Sequence, residues 1–465
     1  MSFSRRTFLA GAAAGFSVLV LTACEPDRVT PPPTTSAPLP STTPTAVPIP
    51  ADILRSAWAD DPFSRGTHSF LATGSSPDQR IALRQAIDGR LFFAGEATDD
   101  DAPGTVTGAI ASGARAANQA DASSLPSDRI AIVGAGASGA SAAAVLAAAG
   151  YDVTVIEARD RIGGRIHSTA PDGWPVGVEL GAGRFASDQD ADVIRSVGDG
   201  VAPLSSPPAL FTPTGETAED RDAGASAIAS AAQWAADRPE DLGLGDALDG
   251  SGAGNLAPGD PPAPIDYLTA ELRRRITDSV GAEPADLSSW YGLDTLPPAA
   301  DTVALGGVSE LVTELLGSSA VWLSTAVLSI SRTDDAVSLR LGTGESVTFD
   351  RVILTVPLGV LKAQAIEIEP PLPFDQRAAI AELGFGDVES VWVRFDEAFW
   401  STDAVQWSVL GSDFIVTDWV NLMPITGSPV LIGLVGGEAA SSMSALSDGE
   451  LSDALMTALA PFVGA

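Results

Sequence analysis

Apolar and polar positions divide the chain into three regimes. Phe8 to Leu21 is a mostly apolar stretch, too short and too rich in Gly and Ala for a comfortable membrane span. Residues 25–51 are dominated by Pro, Thr and Ser (Pro31-Pro32-Pro33-Thr34-Thr35), a composition that builds no core and predicts an extended tether. From Asp52 onward, short apolar runs alternate with glycine-rich turns, so the folded body begins there. Arg129–Val133 predicts a strand, the Ala-rich segment up to Ala149 a helix, and Tyr151–Glu157 a second strand. A further strand is expected around Arg55–Trp58 and a helix at Leu451–Phe462.

Between the first two of those strands lies Gly134-Ala135-Gly136-Ala137-Ser138-Gly139. In a strand–turn–helix context this spacing is a dinucleotide fingerprint: Gly134 permits the tight turn, Gly136 lets a pyrophosphate approach the backbone, and Gly139 lets helix and strand pack closely. The helix N-terminus, at Ala137 and Ser138, offers partial positive charge to the phosphates. Glu157 ends the second strand, where an acid hydrogen-bonds an adenosine ribose that lacks a 2'-phosphate.

Composition adds less than motif. The chain has 465 residues, enough for two or three domains, with 60 acidic against 26 basic residues and a formal charge of −34. That balance excludes nucleic acid as a partner. It either steers cationic ligands toward a cleft or merely keeps the surface soluble. Arg5-Arg6 opens a twin-arginine run, and Leu21-Thr22-Ala23-Cys24 resembles a lipoprotein box, so the expected location is the outer face of the cell membrane, anchored through acylated Cys24. A Sec-type signal with an incidental cysteine is the alternative. Cys24 is the only cysteine, which leaves no intramolecular disulfide.

Immediately after Glu157 come Ala158, Arg159 and Arg161, then Gly163-Gly164-Arg165. With Leu305-Gly306-Gly307, Val352–Lys362 (Val-Ile-Leu-Thr-Val-Pro-Leu-Gly-Val-Leu-Lys) and Leu91-Phe92-Phe93-Ala94-Gly95-Glu96, the chain resembles the FAD-binding amine oxidase superfamily over most of residues 52–465, with a poorly matched gap near 190–290. The resemblance implies an α/β fold in which a Rossmann-like FAD-binding domain is joined to a discontinuous α+β substrate-binding domain. The implied segments are 52–190 and 301–365 for FAD, and 191–300 and 366–465 for substrate.

The family normally ends on a Trp and Asp-Pro segment, a Gly-Ser-Tyr-like turn and a Phe-Ala-Gly-Glu motif with its following helix. In this chain Trp58, Asp61-Pro62, Gly66-Thr67-His68-Ser69-Phe70, Gly95-Glu96 and Gly104-Thr105-Val106 all precede the βαβ unit, with no second copy later. That order is expected of a circular permutation, with residues 121–128 bridging old ends and the new ends adjacent in space. A misassembled gene would lack one half, and neither is missing.

By resemblance, FAD is held non-covalently by Gly134, Gly136, Ala137, Ser138, Gly139, Glu157, Ala158, Arg159, Gly164, Arg165, Gly181, Ala182, Val327, Gly95, Glu96, Gly104, Thr105 and Val106. The implied reaction moves a hydride from the carbon bearing an amine to flavin N5, yielding an imine, with oxygen or another acceptor reoxidising the flavin. Three positions bear on that chemistry. Ser390 stands where amine oxidases usually carry a lysine, and Lys362, the only lysine, belongs to another motif. Arg184, in Glu179-Leu180-Gly181-Ala182-Gly183-Arg184-Phe185, resembles the carboxylate-binding arginine of L-amino-acid oxidases, or else is a structural arginine paired with an acid such as Asp188. His68 replaces an aromatic bordering the flavin. The expected substrate is an amine or L-amino acid; the alternative is an exported flavoprotein that binds or carries electrons without amine oxidation. With His68 and His167 the only histidines, neither a histidine metal site nor a nucleophilic triad is expected.

Overall fold

The computed structural model describes residues 46–204, 207–219 and 221–464. The twin-arginine run, Cys24 and nearly all of the Pro-rich tether lie outside the described residues. No helix among the described residues is long and apolar enough to cross a membrane.

A five-stranded parallel sheet forms one half of the body, in the spatial order Ala320–Trp322, Asp152–Ile156, Arg129–Val133, Arg351–Leu354, Leu91–Phe93. Ile130 and Ile132 point into a cluster with the small residues of the helices Val106–Asp121 and Ala137–Ala148, while Ala131 and Val133 face a second sheet containing Val327–Arg332 and Val337–Leu341. Both faces are covered, which is why these strands read as continuous apolar runs rather than alternating ones. The two helices approach closely because they meet through small side chains: Ala116, Ala117, Ala120, Ala140 and Ala143 are fully buried, and Ser141 donates to the Ile110 carbonyl at 2.8 Å.

The other half is a seven-stranded sheet ordered Asp52–Arg55, Val388–Arg394, Val430–Gly436, Asp418–Asn421, Gln406–Val409, Ala209–Phe211, Thr217–Ala218, antiparallel except where Ala209–Phe211 joins Gln406–Val409. The expected strand through Trp58 stops at Arg55. The buried Glu389 carboxylate accepts from the Trp58 and Ala59 amides and the Ser56 hydroxyl, and so turns the backbone out of the ladder.

The first strand of the folded body meets its last helices. Arg55 donates to the carbonyls of Met443 and Leu446, both at 2.9 Å, and Val47 packs against the cluster that contains Leu451, Leu455 and Phe462. Ser123 and Ser124 likewise fasten the connection between the helix ending at Asp121 and the strand starting at Arg129, Ser124 accepting from Arg351 at 2.8 Å.

One buried acid makes the fold pH-sensitive. Glu179 accepts from Ser168 Oγ and from the Val308 amide at the start of helix Val308–Leu316. Burial pushes its carboxyl up to about 7 despite those hydrogen bonds. A carboxyl raised on folding favours the folded state below its unfolded value of 4.5, and that advantage is lost as pH rises through about 7. Glu179→Gln is therefore expected to melt close to wild type at pH 5 and several degrees higher at pH 8. Melting curves at the two pH values check this, and an equal or lower midpoint at pH 8 would refute it.

Candidate active site

A cavity of about 950 Å³ runs between the two halves. Its floor at one end is the fingerprint turn. Gly134 has φ +111°, and the Gly139 position leaves no room for a side chain, since a Cβ there would lie 2.0 Å from the Gly134 carbonyl. Gly139 thus sits beneath the wall, while Gly134, Gly136, Ala137 and Ser138 line it. Gly136 differs from its neighbours: a Cβ there would meet no protein atom within 3.4 Å, only Gly163 O and Gly164 Cα at 3.8 Å. The first-turn amides that follow it have no intrahelical partner. Glu157 is fixed at the strand end, one oxygen accepting from the Ala135 amide at 2.8 Å and the other from the Arg159 amide at 2.9 Å. Arg159 in turn grips Asp61 at 2.7 Å and Ser64 at 2.9 Å, tying the Asp-Pro segment to the βαβ unit.

The middle of the cavity is organised around Glu96. Its Oε2 accepts from Ser69 Oγ at 2.6 Å and the Gly104 amide at 2.9 Å, and its Oε1 from Arg165 at 3.1 Å. Arg80, almost wholly buried, donates to Ser69 Oγ at 2.7 Å from behind. Burial alone would raise the Glu96 carboxyl, but Arg165, Arg80 and the Ser69 hydrogen bond outweigh it and hold it below the ordinary value. Thr105 caps the helix Val106–Asp121, accepting from the Gly108 amide at 3.0 Å, and this helix start also faces the cavity. His68 lies on the same wall. Burial lowers its imidazole to about 4, with Glu96 pulling up and Arg165 down, so the ring is neutral at physiological pH. Its Nδ1 is buried and has no hydrogen-bond partner among the described residues.

The sequence-selected residues converge on this one space. Gly95, Ala158, Gly164, Gly181, Ala182, Val327 and Ser390 all line it with those already named. Ser390 Oγ donates to the Leu180 carbonyl at 3.3 Å, and Lys362 is remote from it, donating to the Ala381 carbonyl at 2.9 Å. His167 is not on the wall but stands edge-on to Trp58. The pairing of Arg184 with Asp188 is overturned. Arg184 faces the cavity with burial lowering its pKa, and the acids acting on it are Asp418 and Asp278, whereas Asp188 is exposed. Asp278 and Asp418 escaped the sequence reading altogether. The only signal nearby was the run Arg273-Arg274-Arg275, which reads as a solvated face.

The chain is similar to known proteins over most of its length. The sequence profile of the family described as "Flavin containing amine oxidoreductase" matches residues 38–120 and 273–465, well over half of the chain. The chain belongs to this family. A profile described as "NAD(P)-binding Rossmann-like domain" matches residues 132–198, between the two stretches. Among relatives, the probable polyamine oxidase 4 of Arabidopsis thaliana is 28% identical over 357 residues, covering 68% of each chain. Polyamine oxidase 4 of Oryza sativa subsp. japonica is 29% identical over 356 residues, covering 70% of this chain and 71% of the relative. Among solved structures, cyclohexylamine oxidase from Brevibacterium oxydans superposes with a TM-score of 0.58 at 21% identity, covering 73% of this chain and 82% of that one. Wild-type putrescine oxidase bound to putrescine gives 0.55 at 21%, with the same coverage.

The residues fit the cofactor that family membership implies, FAD. The open face of Gly136, the free amides at the helix start and the fixed Glu157 suit a dinucleotide. Glu96, Arg165 and the Gly104–Val106 helix start suit the polar chain and ring beyond it. With Cys24 the only cysteine in the sequence, the cavity wall offers no thiol for a covalent link.

Proposed function

We propose that this amine oxidoreductase oxidises a primary or secondary amine, rather than an L-amino acid, at the carbon bearing nitrogen. FAD bound in the cavity supplies the acceptor for the hydride. The observation that carries the substrate reading is the pair Asp278 and Asp418 on the cavity wall beside Arg184. An ammonium group finds two carboxyl groups there to accept from its N–H bonds, whereas an amino-acid carboxylate would meet the same two acids along with the guanidinium.

The chain's own residues divide the remaining work. Gly136, Ala137, Ser138 and Glu157 hold the adenosine and pyrophosphate; Glu96 and Arg165 orient the far end. The neutral His68 borders the reacting centre without adding a charge that would repel an ammonium. Ser390 supplies no cation at the position where relatives usually have lysine, so oxygen activation lacks that electrostatic aid. Oxygen or another acceptor would take up the electrons. The likeness to polyamine, putrescine and cyclohexylamine oxidases supports an amine substrate.

Arg184 favours a second reading, an L-amino acid whose carboxylate it clamps. Anaerobic flavin reduction by matched pairs, each an amine and the L-amino acid with the same side chain, decides between them. Amines are expected to react at least tenfold faster in wild type and to remain substrates of Arg184→Met. Faster reduction by amino acids, abolished in Arg184→Met while amines persist, would establish the second reading instead.

We further propose that the segment order is a circular permutation of the family's, supported by the split family match and by the contact of Arg55 with Met443 and Leu446. Export through the twin-arginine run and anchoring through Cys24 complete the proposal, on sequence grounds alone.

A further inference from the structure

We propose that Asp278 and Asp418 form a carboxyl pair that binds an ammonium group of the amine substrate, the incoming cation displacing a proton from the site. This deepens the amine reading above and rests on it for the identity of the ligand.

Two distant segments build the pair. Asp278 begins the helical turn Asp278–Val280, after the arginine run, and its Oδ1 is pinned by the Gly436 amide at 2.8 Å. Asp418 starts the strand Asp418–Asn421, and its Oδ2 accepts from Thr417 Oγ1 at 2.9 Å. Thr417 is oriented for this because its oxygen accepts from Arg273 at 2.8 Å. Each carboxylate therefore has one oxygen anchored. Among the described residues, Asp278 Oδ2 is buried and receives no hydrogen bond. A second unpartnered polar atom, Arg184 Nε, is buried in the same place. Both acids and Arg184 are on the cavity wall. An orphaned carboxylate oxygen beside a second carboxylate and a cavity is a site awaiting a cationic donor.

The surrounding charges set the exchange. Burial pushes the Asp278 carboxyl up to about 8, Asp418 reinforces this, and Arg273, the Gly436 amide and Arg184 oppose it. The strands packed on this turn bring His68, Glu389 and Arg394, the last at the far end of its strand opposite Val430, and the preceding helical turn brings Arg275 and the Arg274–Glu271 ion pair to the cavity wall. His68 is neutral, and Glu389 is turned away to Ser56, Trp58 and Ala59. Asp278 therefore carries a proton near neutral pH, on a cavity wall that it shares with Asp418. When an ammonium arrives, its N–H groups donate to the carboxylate oxygens and one proton leaves to solvent. One positive charge replaces another, so the buried charge balance with Arg184 and Arg273 is preserved.

The test uses the holoenzyme and 2-phenylpropan-2-amine, an ammonium ion that cannot be oxidised because its nitrogen-bearing carbon carries no hydrogen. Calorimetric titration in two buffers of different ionisation enthalpy reads both affinity and protons released. Wild type is expected to release close to one proton per amine at pH 7, with affinity rising toward tenfold per pH unit up to about pH 8 and flattening above. Asp278→Asn should abolish proton release, and Asp278→Asn and Asp418→Asn should each weaken binding at least tenfold at pH 8, with the visible spectrum of bound FAD unchanged as the control on folding. Absence of binding to wild type, affinity independent of pH, or the same proton release in both variants would overturn the proposal. The amine-oxidation reading fails separately: proton-coupled binding with no flavin reduction by any amine would leave the pair standing and remove that reading.

Discussion

Glu96→Ala is expected to yield protein without bound flavin and to lower stability by on the order of 3–5 kcal/mol, the usual cost of leaving a buried charge without its partner. Two cations depend on Glu96: Arg165 at 3.1 Å directly, and Arg80 through Ser69. Arg80 is 1% exposed, so water cannot take over from the lost carboxylate there. The Gly104 amide, which positions the next helix start, loses its acceptor at the same time. Glu96→Gln should fall between, since it keeps the volume and one acceptor while losing the charge. Denaturant unfolding and the flavin-to-protein absorbance ratio after gel filtration check both parts. A stable yellow Glu96→Ala protein would show that the cluster does not organise the site.

The second large effect separates two glycines of one motif. Gly139→Val should prevent the fold from forming at this corner, because its first added atom would lie 2.0 Å from the Gly134 carbonyl and 3.2 Å from Thr355 Oγ1, and backbone cannot step aside cheaply. Gly136→Ala has space on the protein side and an ordinary φ of −79°, so the protein should fold and melt within a few degrees of wild type in the absence of FAD. Its FAD affinity should nonetheless drop at least tenfold, because the methyl group occupies the face through which the pyrophosphate reaches the backbone. Apoprotein melting and FAD titration distinguish them. Unchanged affinity in Gly136→Ala would mean that the dinucleotide lies elsewhere.

The βαβ unit was legible because its signals are local: glycine spacing, an apolar run and a terminal acid fall within about thirty residues, and each has one structural meaning. The edges of elements were less so. The strand predicted to reach Trp58 ends three residues earlier because Glu389, more than three hundred positions away, captures the Trp58 and Ala59 amides. Residue 184 shows the same limit. Its sequence neighbour Asp188 was a reasonable partner, but the fold turns that acid outward and delivers Asp278 and Asp418 instead. Neither acid sits in a motif, and only pairing of the strands Asp418–Asn421 and Val430–Gly436, with the helical turn at Asp278 bonded to Gly436, brings them together. The part of the cavity proposed to bind cofactor is thus written in contiguous motifs, whereas the part proposed to meet substrate is assembled from the poorly patterned stretch near 190–290 and from a strand far beyond it.

The central claim, that this cavity holds FAD where an amine can be oxidised, is tested most directly by rapid anaerobic mixing of the purified yellow protein with a panel of primary and secondary amines. The account predicts loss of the visible flavin absorbance within the mixing experiment for at least one amine, and its return when an electron acceptor is admitted. Retention of the oxidised spectrum with every amine, in protein that an artificial donor reduces readily, would contradict it.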